Sequence, residues 1–419
     1  MPDARQSRRR YRKPAHRRAA HTQTDQGAND RATQIICTSA TETIIQVGSD
    51  SSTQPTPLVE AVILKGFTVN RSVDPFTPAT GVAGAIGIAL RWCVNCHFEK
   101  VFSINSCRGW FLFGTVETYV KWCAALRNRE GSNAANDPFI GFHLDYSAPL
   151  GANGGNASAY LTYCRAFPYT EGTVPSLTYS AGVRMDSGWV DLFIHGFETG
   201  GGIQYGIHGI GDGYSSGSFR TEDLIITNCV LDPGAIACIW LEQAGPESAI
   251  TIANSYLAPA STGTAVVLYQ LGGSVTVSNN QVIVAAFSAA GIGATNVNNL
   301  RAHGNIYTGL RQPIWLNAVT SFEIRDTLHG LVTSGDYPAL GVAACTRGKI
   351  DCIVNGPGGC YTKGVDLQGT ANSLIQVEAT NLQATAFPSG SANKIVHNGT
   401  QVTTAGLFGT NCLASGIMI

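Results

Sequence analysis

Leu224-Ile-Ile-Thr-Asn-Cys-Val-Leu-Asp-Pro233 and Ile250-Thr-Ile-Ala-Asn-Ser-Tyr-Leu-Ala-Pro259 are two copies of one pattern, 26 residues apart. Val275-Thr-Val-Ser-Asn279, Leu300-Arg-Ala-His-Gly304, Phe322-Glu-Ile-Arg-Asp326, Ile350-Asp-Cys-Ile-Val354 and Leu374-Ile-Gln-Val-Glu378 continue it, at steps of 25, 25, 22, 28 and 24 residues. Upstream the match is looser. Tyr119-Val-Lys-Trp-Cys123 resembles Tyr160-Leu-Thr-Tyr-Cys164, and Val62–Gly66, Phe98–Phe102 and Val190–Ile194 fit the same place. Apolar residues alternate with period two, the signature of a strand with one buried face.

A second strand follows each copy. Gly141-Phe-His-Leu-Asp145, Gly182-Val-Arg-Met-Asp186, Gly206-Ile-His-Gly209, Cys238-Ile-Trp-Leu-Glu242, Val266-Val-Leu-Tyr-Gln270, Pro313-Ile-Trp-Leu-Asn317 and Gly364-Val-Asp-Leu-Gln368 are the clear examples. A unit of this size cannot bury its own apolar face, but a stack of units ~4.8 Å apart buries it in one continuous column. Helical repeats need ~33 residues and propeller blades ~40–45. The fold expected is therefore all-β: a right-handed parallel β-helix of about twelve rungs between Val62 and Ala379. Asn228, Asn254 and Asn279 share one turn, where Asn tolerates a left-handed backbone and can stack its amide along the axis.

Composition agrees. Of 419 residues 44% are hydrophobic, 13% are charged and 48 are Gly, against ~25% charged in an average domain. No stretch reaches the ~18 apolar residues of a membrane span. Residues 1–18 hold eight of the 27 Lys and Arg, from Arg5 to Arg18, leaving the remainder at a net of about −8. This segment has no apolar core of a signal peptide and reads as a disordered tail, with no nucleic-acid partner expected. The expected divisions are a tail over 1–57, the solenoid over 58–382, and a C-terminal β cap or association segment over 383–419. The twelve cysteines lack a second pair matched to Cys93-Val-Asn-Cys96 and recur at repeat positions, which points to buried, reduced thiols and no metal or cofactor.

Chemistry is expected on the second strand, whose first, third and fifth residues are read as facing outward. The third positions are His143, Arg184, His208, Trp240, Leu268, Trp315 and Asp366; the fifth include Asp145, Asp186, Glu242, Gln270, Asn317 and Gln368. Parallel columns of acids, imidazoles, a guanidinium and indoles suit sugars, which stack on ring faces and bond to planar polar groups. Outward positions of any β-helix are polar, so solvation alone is the competing reading. Asp186 and Glu242 are the expected catalytic carboxylates, with Asp145 as alternative partner and like-charge repulsion raising one pKa. His143, Arg184, His208, Trp240 and Trp315 are expected to bind substrate. So are Asp212, Glu222 and Asp223, from the polar loop after Gly209.

Four further segments carry a family resemblance: Gly66-Phe-Thr-Val-Asn-Arg-Ser72, Gly87-Ile-Ala-Leu90, Cys96-His-Phe-Glu-Lys-Val101 and Gly109-Trp-Phe-Leu-Phe-Gly114. Over about residues 60–380 the chain resembles the pectate-lyase-type β-helix proteins, most of all bacteriophage tailspikes and related polysaccharide depolymerases. The resemblance implies a homotrimer on a phage tail or outside the cell that binds, and often cleaves, bacterial surface polysaccharide with paired carboxylates. Such families open on a capping segment that has no counterpart here, so a further portion or another polypeptide is expected to supply it. Hydrolase ranks ahead of lyase, because no clustered Asp calcium site accompanies Arg184, His143 and His208. A non-catalytic glycan-binding adhesin and a structural spacer are the other classes.

Overall fold

The computed structural model describes residues 21–23, 33–51, 53–55, 57–73, 85–127, 139–147, 157–168, 179–200, 203–211, 222–284, 289–330, 337–355, 365–368, 375–380, 394–397 and 400–401. All regular elements among them are strands. No helix among them is long and apolar enough to cross a membrane.

Apart from two antiparallel pairs, His21–Gln23 with Thr33–Cys37 and Lys394–His397 with Thr400–Gln401, the strands stack in parallel as a β-helix with three faces. The first sheet runs through Ile45–Gly48, Ile86–Arg91, Arg108–Phe113, Phe139–Asp145, Ser180–Asp186, Tyr205–Ile210 and Ala237–Ala244. It continues through the starts of Thr264–Ser278 and Ala290–Thr308 to Gln312–Asn317, Leu340–Ala343 and Val365–Gln368. The second sheet includes Val116–Lys121, Ala157–Thr162, Leu192–His195, Asp223–Thr227 and Ala249–Ala253. The third includes Ala124–Leu126, Arg165–Phe167, Glu198–Thr199, Val230–Gly234 and Tyr256–Pro259.

The stacked interior follows from the period-two pattern. Leu224, Ile226, Ile250, Ile252, Val275, Val277, Leu300 and Ile324 from the second sheet meet Val183, Met185, Ile207, Ile239, Leu241, Val266 and Leu268 from the first, and all are buried. No single rung closes this core; each apolar row is covered by the rungs on either side.

Four sequence readings shift. Thr33–Cys37 and Ile45–Gly48, read as tail, pair in parallel with Ile63–Arg71 and Ile86–Arg91, so the solenoid begins earlier. These strands are only five and four residues long, too short to show the repeat pattern. At the other end Lys394–His397 stacks in parallel on Ile375–Thr380, beyond the boundary at 382; most of 383–419 lies outside the described residues, as does the basic segment 1–18. Phe322 pairs with Gly348, not Ile350, and Gly348 with Ile375, not Leu374. The Phe322 ring occupies the space a Gly348 side chain would need, so the repeat loses its apolar marker there. Trp240 pairs with Val267 and Glu242 with Tyr269, which turns Leu268 into the core and shifts the outward columns from Leu268 and Gln270 to Val267 and Tyr269.

The turn between the second and third sheets shows why Asn recurs. Asn228, Asn254 and Asn279 have φ of 56°, 53° and 55°, the left-handed region that Asn tolerates. The stacked polar ladder, however, lies one residue further on and points inward. The Cys229 N–H donates to Ser255 Oγ (3.1 Å), Ser255 N–H to Asn280 Oδ1 (2.9 Å), Asn280 N–H to Asn305 Oδ1 (3.0 Å) and Asn305 N–H to Asp326 Oδ1 (2.8 Å). Each turn leaves an amide that its own rung does not use, and the next rung's side chain accepts it.

Ten described cysteines carry free thiols, and nine of these are buried. They do more than fill space: Cys164 Sγ donates to the Val120 carbonyl (3.3 Å) and Cys345 Sγ to that of Ala343 (3.3 Å).

Candidate functional site

Register places His143 beside Arg184, Arg184 beside His208 and His208 beside Trp240 on successive rungs of the first sheet. Asp145 pairs with Asp186, and Ile210 with Glu242. On these rungs the outward columns therefore exist as expected for the third and fifth positions; beyond Glu242 they run through Val267 and Tyr269 instead of Leu268 and Gln270. The first positions differ. A Cβ on Gly141 would lie 2.5 Å from the Ala166 Cβ, and one on Gly182 2.5 Å from Thr199 Cγ2. These glycines face the interior, where the strand bends at the corner and only a bare Cα fits.

The side chains on these rungs form one connected network. Asp186 sits at its centre. Arg184 Nε donates to both carboxylate oxygens at 2.9 Å, and His143 Nε2 lies 2.8 Å from Oδ2. Burial pushes the Asp186 carboxyl up, but the bonds from His143 and Arg184 outweigh it and hold it well below the usual carboxylate range. Its neighbours are thus a cation and an imidazole, so Asp186 is ionised, whereas like-charge repulsion was expected to raise one pKa. His143 is 4% exposed. Burial lowers its pKa against the pull of Asp186. A neutral ring donating from Nε2 leaves Nδ1 as an acceptor without a partner.

The network continues along the face. The Arg184 guanidinium stacks over the Tyr179 ring, 4.6 Å from its centroid. Tyr179 Oη lies 2.8 Å from His208 Nδ1. His208 Nε2 points to Glu242 Oε1 at 3.7 Å, and Trp240 Nε1 donates to Glu242 Oε2 at 3.1 Å. Burial and the charge of Arg184 lower the His208 pKa. Tyr205 stacks on His208 at 4.4 Å and meets Trp240 edge to face. Upstream, Phe111 packs against His143 at 5.2 Å, with the Arg91 and Arg108 guanidinium groups over its ring.

Other expected residues stand apart. Trp315 is three rungs from Trp240, by way of Val267 and Gly293, or roughly 14 Å along the axis. Its ring lies across Gly341. Glu222 precedes, and Asp223 opens, a strand of the second sheet, away from the Asp186 column. Burial and then the charges of Asp191, Asp223 and Glu247 raise the Glu222 pKa, so like-charge repulsion acts there instead. Asp212 lies outside the described residues. Among those described, no three His, Cys, Asp or Glu side chains are grouped to hold a metal.

Tyr179, Tyr205, Phe111 and Arg108 were missed. Tyr205 and His208 are three residues apart, a spacing that strict alternation assigns to opposite faces. The bend at Gly206 changes that parity.

No family model matches the chain, and no curated protein matches it in sequence. Among solved structures it is similar to tailspike protein 3 of bacteriophage CBA120, with a TM-score of 0.45 and 13% identity. That match covers 88% of this chain and 52% of the other, so the chain spans about half the tailspike's length. It is also similar to PfbA, a surface adhesin of Streptococcus pneumoniae, with a TM-score of 0.31, 9% identity and coverage of 83% and 80%.

Proposed function

We propose that the first-sheet face binds a bacterial surface polysaccharide and hydrolyses its glycosidic bonds with Asp186 and Glu242. The observation that carries this reading is the bracing of Asp186. Arg184 Nε donates to both of its oxygens and His143 Nε2 to one, and it stands two rungs from a second acid, Glu242. Glycoside hydrolysis pairs an ionised carboxylate with a protonated one. Asp186 then accepts a proton from the water that attacks the anomeric carbon, while the bond to the glycosidic oxygen breaks and that oxygen leaves with a proton from Glu242. Two rungs separate their backbones by roughly 10 Å, and side-chain reach brings this into the ~6.5–9.5 Å range of inverting enzymes. Trp240 and Tyr205 offer ring faces to the sugar, and His208 holds Glu242 from the side.

One observation favours a second reading. Tyr179, His208 and Arg184 form a contiguous proton-accepting and charge-neutralising group, the equipment of a lyase acting on a uronate. Digestion of bacterial exopolysaccharides and O-antigens separates the readings. New reducing ends with saturated products support hydrolysis. An unsaturated uronate at the new end selects the lyase. Retention on the polymer without cleavage leaves an adhesin, and neither leaves a spacer. Residence on a phage tail or outside the cell, and a homotrimeric state, belong to the same proposal. A well-folded monomer in light scattering contradicts the trimer.

A further inference from the structure

The left-handed turn between the second and third sheets holds one anomaly. On five rungs its residue is Gly196, Asn228, Asn254, Asn279 or Gly304, with φ between 53° and 69°. Glycine and asparagine are the residues that tolerate this backbone. On the two rungs before Gly196 the same place is held by two aromatic residues, Trp122 and Tyr163, with φ of 57° and 53°, and on the rung before those by Lys100, with φ of 54°. Their amides bond to the next rung as the others do, Trp122 N–H to Thr162 O and Tyr163 N–H to His195 O. A bulky aromatic residue is disfavoured in this conformation. These two also leave 49% and 45% of their surface in water. The sequence thus carries a conformational and a solvation cost at one spot, where its own repeat supplies a cheaper residue. Strain retained at a defined place is a pointer to function.

The rings are arranged, not loose. Trp122 and Tyr163 lie 5.2 Å apart at 45°, and His195 meets Tyr163 edge-on at 5.2 Å. Gly196 makes room: a Cβ there would sit 2.4 Å from the Tyr163 ring. Polar groups border the patch. Arg165 pairs with Glu198 at 3.0 Å while remaining largely exposed, and Lys121 is exposed beside Trp122. The corner adjoins no strand of the first sheet, so it is separate from the Asp186 network.

We propose that Trp122 and Tyr163 form a second carbohydrate platform, which takes up the C–H face of a pyranose while Arg165, Glu198 and Lys121 meet its hydroxyls. The choice of ligand class rests on the glycan reading of the first face. Aromatic faces with a mixed-charge rim suit an amphipathic, near-neutral sugar. A second protein is disfavoured, because a stable interface covers ~800 Å² per partner and depletes charge at its centre, whereas this patch is two rings wide.

The test compares the wild type, Trp122→Asn/Tyr163→Asn and Trp240→Ala/Glu242→Gln on an array of bacterial O-antigen and capsular polysaccharides. Asn is the repeat's own residue at this turn, so the first variant should melt no lower than the wild type. It should bind the recognised polysaccharide at least roughly tenfold more weakly, and should cleave short fragments of it at the wild-type rate. Unchanged binding by this variant, with loss in the Trp240/Glu242 variant, overturns the second platform and keeps the first. The reverse result keeps the platform and overturns the first. A wild type that holds no polysaccharide overturns both. A wild-type oligomer that the Trp122/Tyr163 variant dissociates assigns the patch to a second copy of the chain instead.

Discussion

Asp186 and Asp326 show how the same burial ends in opposite charge states. Arg184 and His143 hold Asp186 ionised. Asp326 is 3% exposed and is bonded only by neutral donors, the Asn305 backbone and amide and the Tyr307 hydroxyl. Burial raises it to about 6 against those bonds. A group whose folded pKa is raised binds its proton more tightly in the native state. Stability therefore falls as pH rises from about 4 to 6 and stays lower above that. The swing is on the order of 3 kcal/mol. Asp326→Asn should remove this slope and leave the variant at least as stable as the wild type at pH 7. Urea titrations at pH 4.5 and 7 measure it; an unchanged slope in the variant would exclude Asp326 as its source. At this scale sequence reasoning reached His143, Arg184, Asp186, His208 and Trp240, because period-two alternation and a parallel stack suffice to align them. It did not reach Tyr179, which precedes its strand, or Tyr205, whose parity the Gly206 bend reverses.

The turn ladder is an element that outlives any one rung. Asn305 accepts from the Asn280 N–H, donates to the Val277 carbonyl at 2.9 Å and bonds to Asp326. Asn305→Ala leaves the buried Asn280 N–H without its acceptor, at a cost of about 2–4 kcal/mol once the lost bonds are included. The urea midpoint should fall with an unchanged slope. A loss under about 0.5 kcal/mol would mean that the ladder is ornamental. The recurring Asn228, Asn254 and Asn279 were visible because an unusual backbone selects an unusual residue. The neighbouring ladder was not, because Cys229, Ser255, Asn280, Asn305 and Asp326 share a role without sharing a residue type. Gly348 and Gly341 hid their rungs for a related reason: a ring from the preceding rung, Phe322 or Trp315, takes the place of a side chain.

The whole molecule is a column whose core is continuous and whose chemistry is local. Its free thiols follow from that core. Titration of unfolded, non-reduced protein should detect most of the twelve cysteines, and detection of almost none would replace the stacked core with a disulfide framework. Cleavage is proposed for the face carrying Asp186 and Glu242. The measurement that tests it is turnover of a susceptible polysaccharide by wild type, Asp186→Asn and Glu242→Gln, alongside binding of the same polymer. Each variant should turn over at least ~10²-fold more slowly with binding largely intact. Near-wild-type turnover by both variants would contradict the account and reduce the carboxylate column to solvation.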